Sequence, residues 1–223
     1  MQYVLKIGGH LITENEDSFL KYSNLLQNLA VKYKNFHIVI GGGKWARNYI
    51  NIGRKLYLPE PYLDFIGIQI SQINASIIYK ILAEQSTFAF IRNFDELIQK
   101  LNEGKRIICG GLFPTISTTT VACIVAELSK SMLLYATNVD GVFDKDPNVY
   151  KDARLIKKMN INDLINIITP AHSSLAGDYK LFDPQSLQII KRSKIPVRVF
   201  NGKIEENIKR ALENEDIGTI VTS

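Results

Sequence analysis

Lys6, Gly8 and Gly9 close one apolar run, Tyr3-Val4-Leu5-Lys6-Ile7, and Gly41-Gly42-Gly43 closes a second, Phe36-His37-Ile38-Val39-Ile40. A chain that leaves a strand through glycines and then opens a helix is suited to holding phosphate. Glycine lets the backbone approach an anion, and the first turn of a helix points unpaired N–H groups at it. Lys6 adds a cation at the end of the first strand. Arg47, one turn into the helix after the triplet, adds a planar fork that suits bidentate contact with phosphate. Two further runs end the same way, Arg106-Ile107-Ile108-Cys109 at Gly110-Gly111 and Met132 to Ala136 at Thr137-Asn138. Any one glycine pair is equally a tight strand-to-helix turn. Four permissive ends together favour a groove lined by backbone N–H groups, since ligands of open parallel sheets sit at the carboxyl ends of the strands. The chemistry such a groove supports is phosphoryl transfer, which rests on positioning and electrostatics. No Gly-x-x-x-x-Gly-Lys-Ser/Thr loop and no protein-kinase signature is present.

The elements that must position these residues follow from the apolar pattern. Ser18 to Tyr33 carries Phe19, Leu20, Leu25, Leu26, Leu29 and Ala30 at helical spacing. Helices are also expected from about Trp45, over Leu63 to Leu82, Asp95 to Leu101, Thr119 to Leu128, Asn160 to Ile168 and Ile204 to Leu212, and from Asp183-Pro184, an acidic cap followed by proline. Further strands are expected at Thr87 to Ile91, Pro196 to Phe200 and Gly218 to Thr222. Short, continuously apolar strands alternating with helices predict an α/β chain with a parallel sheet covered on both faces. No repeat, low-complexity segment or linker divides the 223 residues.

Composition bounds the function. Apolar residues make up 46 % of the chain, which excludes a wholly disordered protein. The net charge of +5 comes from scattered Lys and Arg without a dense basic run, which argues against nucleic acid and suits anionic small substrates. Cys109 and Cys123 stand in apolar surroundings and predict buried free thiols. No signal segment opens the chain, and no apolar stretch approaches the ~20 residues of a membrane span, so a cytoplasmic protein without membrane contact is expected.

Taken in order, the motifs resemble the amino-acid-kinase superfold, and within it the uridylate (UMP) kinases of archaeal type. Lys6-Ile7-Gly8-Gly9 resembles the opening phosphate loop and Gly41-Gly42-Gly43-Lys44-Trp45-Ala46-Arg47 the Gly-Gly-Gly-x-x-Ala-Arg loop. Asp64 to Ile70, with Asn74-Ala75 after it, resembles the helix that carries an acceptor-contacting aspartate. Thr137-Asn138-Val139-Asp140-Gly141-Val142-Phe143-Asp144-Lys145-Asp146-Pro147 resembles the ATP-side loop, and Ala176-Gly177-Asp178-Tyr179 with Asp183-Pro184 a late family segment. The resemblance implies a three-layer αβα sandwich in one domain over residues 1–223. An N-terminal lobe would take UMP and a C-terminal lobe, from about residue 130, would take ATP. It implies the reaction of ATP and UMP to ADP and UDP, with Mg2+, in a homohexamer built as a trimer of dimers. It places Lys6 and Arg47 at the transfer; Gly9, His10, Gly43, Arg47, Thr137, Asn138, Phe143 and Asp146 on ATP; and Gly42, Asp64 and the stretch Leu112, Phe113, Pro114, Thr115, Ile116, Ser117, Thr118 on UMP.

The chain departs from that pattern in places. His10 stands where relatives carry Lys or Ser; it either donates to a phosphate oxygen or is an ordinary loop histidine. Gln72 replaces an Arg, Thr115 a glycine and Ile116 a polar residue, all on the acceptor side. A non-nucleotide acceptor, as in isopentenyl phosphate kinase or acetylglutamate kinase, and a catalytically weak nucleotide-binding regulatory protein are the alternatives. Lys44-Trp45-Ala46 after the triplet, in place of a histidine, argues against the first of those enzymes.

Overall fold

The computed structural model describes residues 1–83, 87–145, 147, 149–171 and 181–222. The elements run β1 (Tyr3–Ile7), α1 (Gly9–Ile12), α2 (Glu16–Lys32), β2 (Phe36–Ile40), α3 (Gly43–Lys55), α4 (Glu60–Ala83), β3 (Phe88–Ile91), α5 (Phe94–Asn102), β4 (Arg106–Cys109), α6 (Thr118–Ser129) and β5 (Met132–Thr137). They continue with β6 (Val142–Phe143), β7 (Leu155–Ile156), β8 (Lys158–Asn160), α7 (Ile161–Ala171), α8 (Pro184–Ser193), β9 (Val197–Asn201), α9 (Glu205–Leu212) and β10 (Thr219–Thr222). Eight strands form one sheet in the order β3-β4-β2-β1-β5-β9-β10-β8; β6 and β7 pair as a separate antiparallel ribbon. The six strands from β3 to β9 are mutually parallel, and β10 runs antiparallel to β9.

The period-two alternation of the central strands divides the core in two. Tyr3, Leu5 and Ile7 of β1, with Phe36, Ile38 and Ile40 of β2, face α2, α4 and α9. Val4 and Val39 face the opposite side, where α5, α6, α7 and α8 pack. Lys6 is the next residue of that alternation, so its side chain belongs to the α6 face, between Val39 of β2 and Tyr135 of β5. Both layers are sealed, and the sheet is the three-layer αβα arrangement anticipated above.

Four features differ from expectation. The glycine pair after β1 enters a four-residue helix at once, and the short β6, β7 and β8 are too brief to show periodicity. The last strand was expected only as a closing strand, and its reversed direction has no signature in the residues. α4 needs a correction: its 24 residues, with an 18-residue stretch of mean hydropathy 1.2, do reach membrane-span length. Its buried face, with Leu63, Asn74, Ala75, Ile78 and Leu82, packs on the sheet and α2, while Tyr62, Phe65, Ile73 and Ile77 are exposed along it. Cys109 and Cys123 are buried free thiols, as expected, and burial pushes Cys109 up to about 12.

Candidate active site

The loops after β1 and β2 meet in direct backbone contact. A Cβ added at Gly9 would lie 2.2 Å from the amide nitrogen of Gly43; one added at Gly43 would lie 2.2 Å from the carbonyl oxygen of Gly9. Gly43 also has φ +62°, a left-handed backbone that glycine alone adopts without strain. No side chain fits between these two turns, which accounts for the glycines. Thr13, fully buried, clamps the pair: its hydroxyl donates to Gly9 O (2.8 Å) and accepts from the Lys44 amide (2.8 Å). From α4, buried Asn74 donates to Gly41 O (3.1 Å). The Gly110-Gly111 turn is held from the same helix, where Ser71 Oγ accepts from Gly111 N (2.8 Å) and an added Cβ at Gly110 would lie 2.4 Å from the Ser71 backbone. Thr13→Val keeps the shape and strands the Lys44 amide. It is expected to cost about 2 kcal/mol of stability and to lower kcat/KM about tenfold as the loops lose their spacing. Urea unfolding and initial rates check this; unchanged kinetics would contradict it.

A cleft of about 400 Å³ opens beside the triple-glycine turn. Gly42, Gly43 and Arg47 form one end, Ile50, Ile68, Phe113 and Ile116 an apolar wall, and Asp64, Ser71, Thr115, Ser117 and Thr118 the polar lining. Of the expected acceptor residues, Leu112 packs against the core cluster and Pro114 points to solvent, so neither lines the cleft. Asp64 Oδ2 accepts from the Thr115 amide (3.0 Å), which bends the 110–117 loop over the cleft. Thr115 has φ +63°, the conformation for which a glycine would be the ordinary choice, and a β-branched residue is strained there by about 1–2 kcal/mol. Gln72 lies outside the cleft: its amide donates to Arg92 O (3.1 Å) and Gly111 O (3.0 Å), so it ties the end of β3 to the 110–117 loop. Arg54 pairs with exposed Glu60, as an ordinary surface arginine does.

Lys6 is 4 % exposed, with Nζ 4.5 Å from the centroid of the Tyr135 ring. The His10 ring lies over Gly8, and its Nε2 is buried without a partner. Burial first, then the charges of Lys6, Arg47 and Lys203, push His10 down to about 4, so the ring is neutral at pH 7. Lys6, Arg47 and Lys203 make no ion pair among the described residues. Three unanswered cations around a neutral ring and two glycine turns form a seat for an anion. Lys203 was not anticipated; the signal was available in Asn201-Gly202, which ends β9 at the same carboxyl edge. His37 is likewise pushed down to about 4, by burial first and then by Arg106. Both rings stay neutral in the fold, while the unfolded chain takes up protons from pH 6.5 downward. The stability they contribute is complete above pH 6.5 and lost as pH falls towards 4, on the order of 3 kcal/mol for each. The urea midpoint is therefore expected to fall between pH 7 and 5; a flat profile there would contradict it.

Thr137 and Asn138 end β5 beside the first glycine turn, where Gly8 N donates to Ala136 O (3.0 Å). Thr137 is buried, with its hydroxyl donating to Asn138 Oδ1 (3.3 Å), and Asn201 donates to Asp140 Oδ1 (2.9 Å) to hold the turn that follows. Phe143 is half-buried on β6, opposite Leu155. Asp146, His172 and the 176–179 segment lie outside the described residues. No three His, Cys, Asp or Glu side chains converge among the described residues. A magnesium ion suits this arrangement only if phosphate and water supply its ligands, which is how Mg2+ binds with nucleotides.

A mostly parallel α/β sheet whose glycine turns and free cations share one carboxyl edge defines a phosphate-handling enzyme of the kinase class. The amino acid kinase family matches residues 1–201. The chain belongs to that family, and its relatives include the uridylate kinase of Sulfurisphaera tokodaii, 42 % identical over 223 residues that cover 99 % of each chain. The uridylate kinase of Methanobrevibacter smithii is 38 % identical with both chains covered in full. The crystal structure of uridylate kinase from Archaeoglobus fulgidus superposes with a TM-score of 0.83 at 29 % identity, covering 99 % of this chain and all of that one.

Proposed function

We propose that this chain is a uridylate kinase, transferring the γ-phosphoryl group of ATP to UMP to give ADP and UDP. The observation that carries the proposal is the backbone contact of Gly9 with Gly43, which joins the lysine-bearing turn to the acceptor cleft. Full-length likeness to uridylate kinases on both sequence and structure supports the substrate.

In this reading residues 1–223 form one domain, with the acceptor in the N-terminal half and ATP in the half from about residue 130. Asp64 accepts from the ribose of UMP, while Phe113 and Ile116 face the base. Gly42, Gly43 and Arg47 hold phosphate at the junction, and Lys6 offsets charge on the moving group. Gly9 and His10 donate to the ATP phosphates. Thr137, Asn138 and Phe143, together with Asp146, receive the nucleoside end of ATP. Magnesium, when bound with ATP, would supply charge neutralisation across the donor phosphates. No covalent enzyme intermediate is required, because donor and acceptor seats adjoin.

Ile116 and the strained Thr115 favour a second reading, in which the same fold serves another small acceptor; loss of turnover with retained ATP binding is a third. A coupled ADP-release assay over nucleoside monophosphates and non-nucleotide phosphates separates them. Turnover that depends on UMP above the other acceptors is expected, and turnover with a non-nucleotide alone would overturn the proposal.

The assembly we propose is a homohexamer of dimers in the cytoplasm. α4 carries the dimer contact, since Tyr62, Phe65, Ile73 and Ile77 are exposed along it. Phe65→Asp is expected to shift the mass seen by light scattering to a smaller species; an unchanged mass would remove α4 from the interface.

A further inference from the structure

Ser117 lines the cleft, yet its hydroxyl is fully committed within the protein. Its single proton goes to Asp183 Oδ2 (2.5 Å), and its oxygen accepts from the Thr119 and Thr120 amides (3.1 Å each). A serine hydroxyl has one proton to give and two lone pairs, so nothing is left for a ligand. Thr118, next in the chain, is the opposite case. Neither its amide nor its hydroxyl has a partner among the described residues, and its Oγ1 stands 3.4 Å from the Cβ position of Gly41 in the triple-glycine loop.

Asp183 is what imposes this division. It caps α8, with Oδ1 accepting from Ser186 N (2.9 Å) and from Thr120 Oγ1 (2.7 Å), while Oδ2 holds Ser117. Burial raises the Asp183 carboxyl, but the bonds from Ser117, Thr120 and Ser186 outweigh it and hold the group below its usual range. It therefore stays a carboxylate that can only accept. The two residues it grips start α6 and end the acceptor loop, whereas Asp183 itself lies 63 residues on from Thr120, in the half of the chain assigned to ATP.

We propose that Asp183 is a positioning residue for the acceptor: it fixes the Ser117 end of the loop so that Thr118, and not Ser117, presents its N–H and O–H to the acceptor phosphate. The inference rests on the uridylate kinase reading. Asp183→Asn would set an amide donor against the Ser117 hydroxyl and release it; Ser117→Ala removes the same bond from the other side.

The test is steady-state kinetics with ATP and UMP on wild type, D183N, S117A and the double variant. Each single variant is expected to raise KM for UMP about tenfold, with kcat and KM for ATP within about threefold of wild type. The double variant is expected to be no worse than either single one, because both remove one bond. A rise in KM for ATP as large as that for UMP, additive effects, or an unmoved KM for UMP would overturn the proposal. If D183N does not fold, an unmoved KM for UMP in S117A overturns it alone. Absence of UMP turnover in the wild type would instead strike the substrate reading on which it stands.

Discussion

Lys6→Ala is expected to lower kcat about 1000-fold while ATP affinity stays within about threefold of wild type. The asymmetry follows from where the lysine sits. Its stem is buried between Val39 and Tyr135, with the ammonium over the Tyr135 ring. No carboxylate among the described residues neutralises it. A fixed, unpaired cation is worth most where charge develops during transfer. In the proposed arrangement the resting phosphates of ATP have backbone N–H groups and the other cations as well. Rapid-quench rates and equilibrium ATP binding decide the matter. Equal loss in both would make Lys6 a binding residue, and no loss in either would remove it from the site.

Gly43→Ala carries the second large effect. The new methyl group would lie 2.1 Å from Thr13 Oγ1 and 2.2 Å from Gly9 O, and one of those atoms is backbone. The residue would also be held at φ +62°. The left-handed conformation costs about 1–2 kcal/mol and the overpacking about 1–3 kcal/mol more, so stability is expected to fall by about 3 kcal/mol. The two phosphate turns must part to admit the methyl group. In the proposed arrangement they hold the donor and acceptor ends of one reaction, so kcat/KM for both substrates is expected to drop at least about 100-fold. A variant with less than a tenfold loss would show that the turns need not touch.

Much of this was legible in the residues. Five-residue apolar runs ending in glycine announced parallel strands with ligand loops at one edge. Lys6 was expected at the end of the first strand beside the glycines, and it stands there. A threonine where glycine would be ordinary pointed to strain at residue 115, and its backbone is left-handed. What stayed hidden depends on contacts between distant positions. Thr13 meets Lys44 across 31 residues and Ser117 meets Asp183 across 66, and neither pairing leaves a periodic mark. Leu112 was expected to join its neighbours at the cleft; in the fold it packs against the core. Gln72 looked like a missing charge, and is a brace between two carbonyl groups.

In the proposed mechanism the phosphoryl group passes directly between two seats that share one groove. The decisive experiment is single-turnover labelling, with γ-labelled ATP mixed with excess enzyme in the presence and absence of UMP. The prediction is label in the β-phosphate of UDP, appearing only with UMP and at the rate ADP forms. Label on the protein, or free phosphate released at the same rate without UMP, would contradict it.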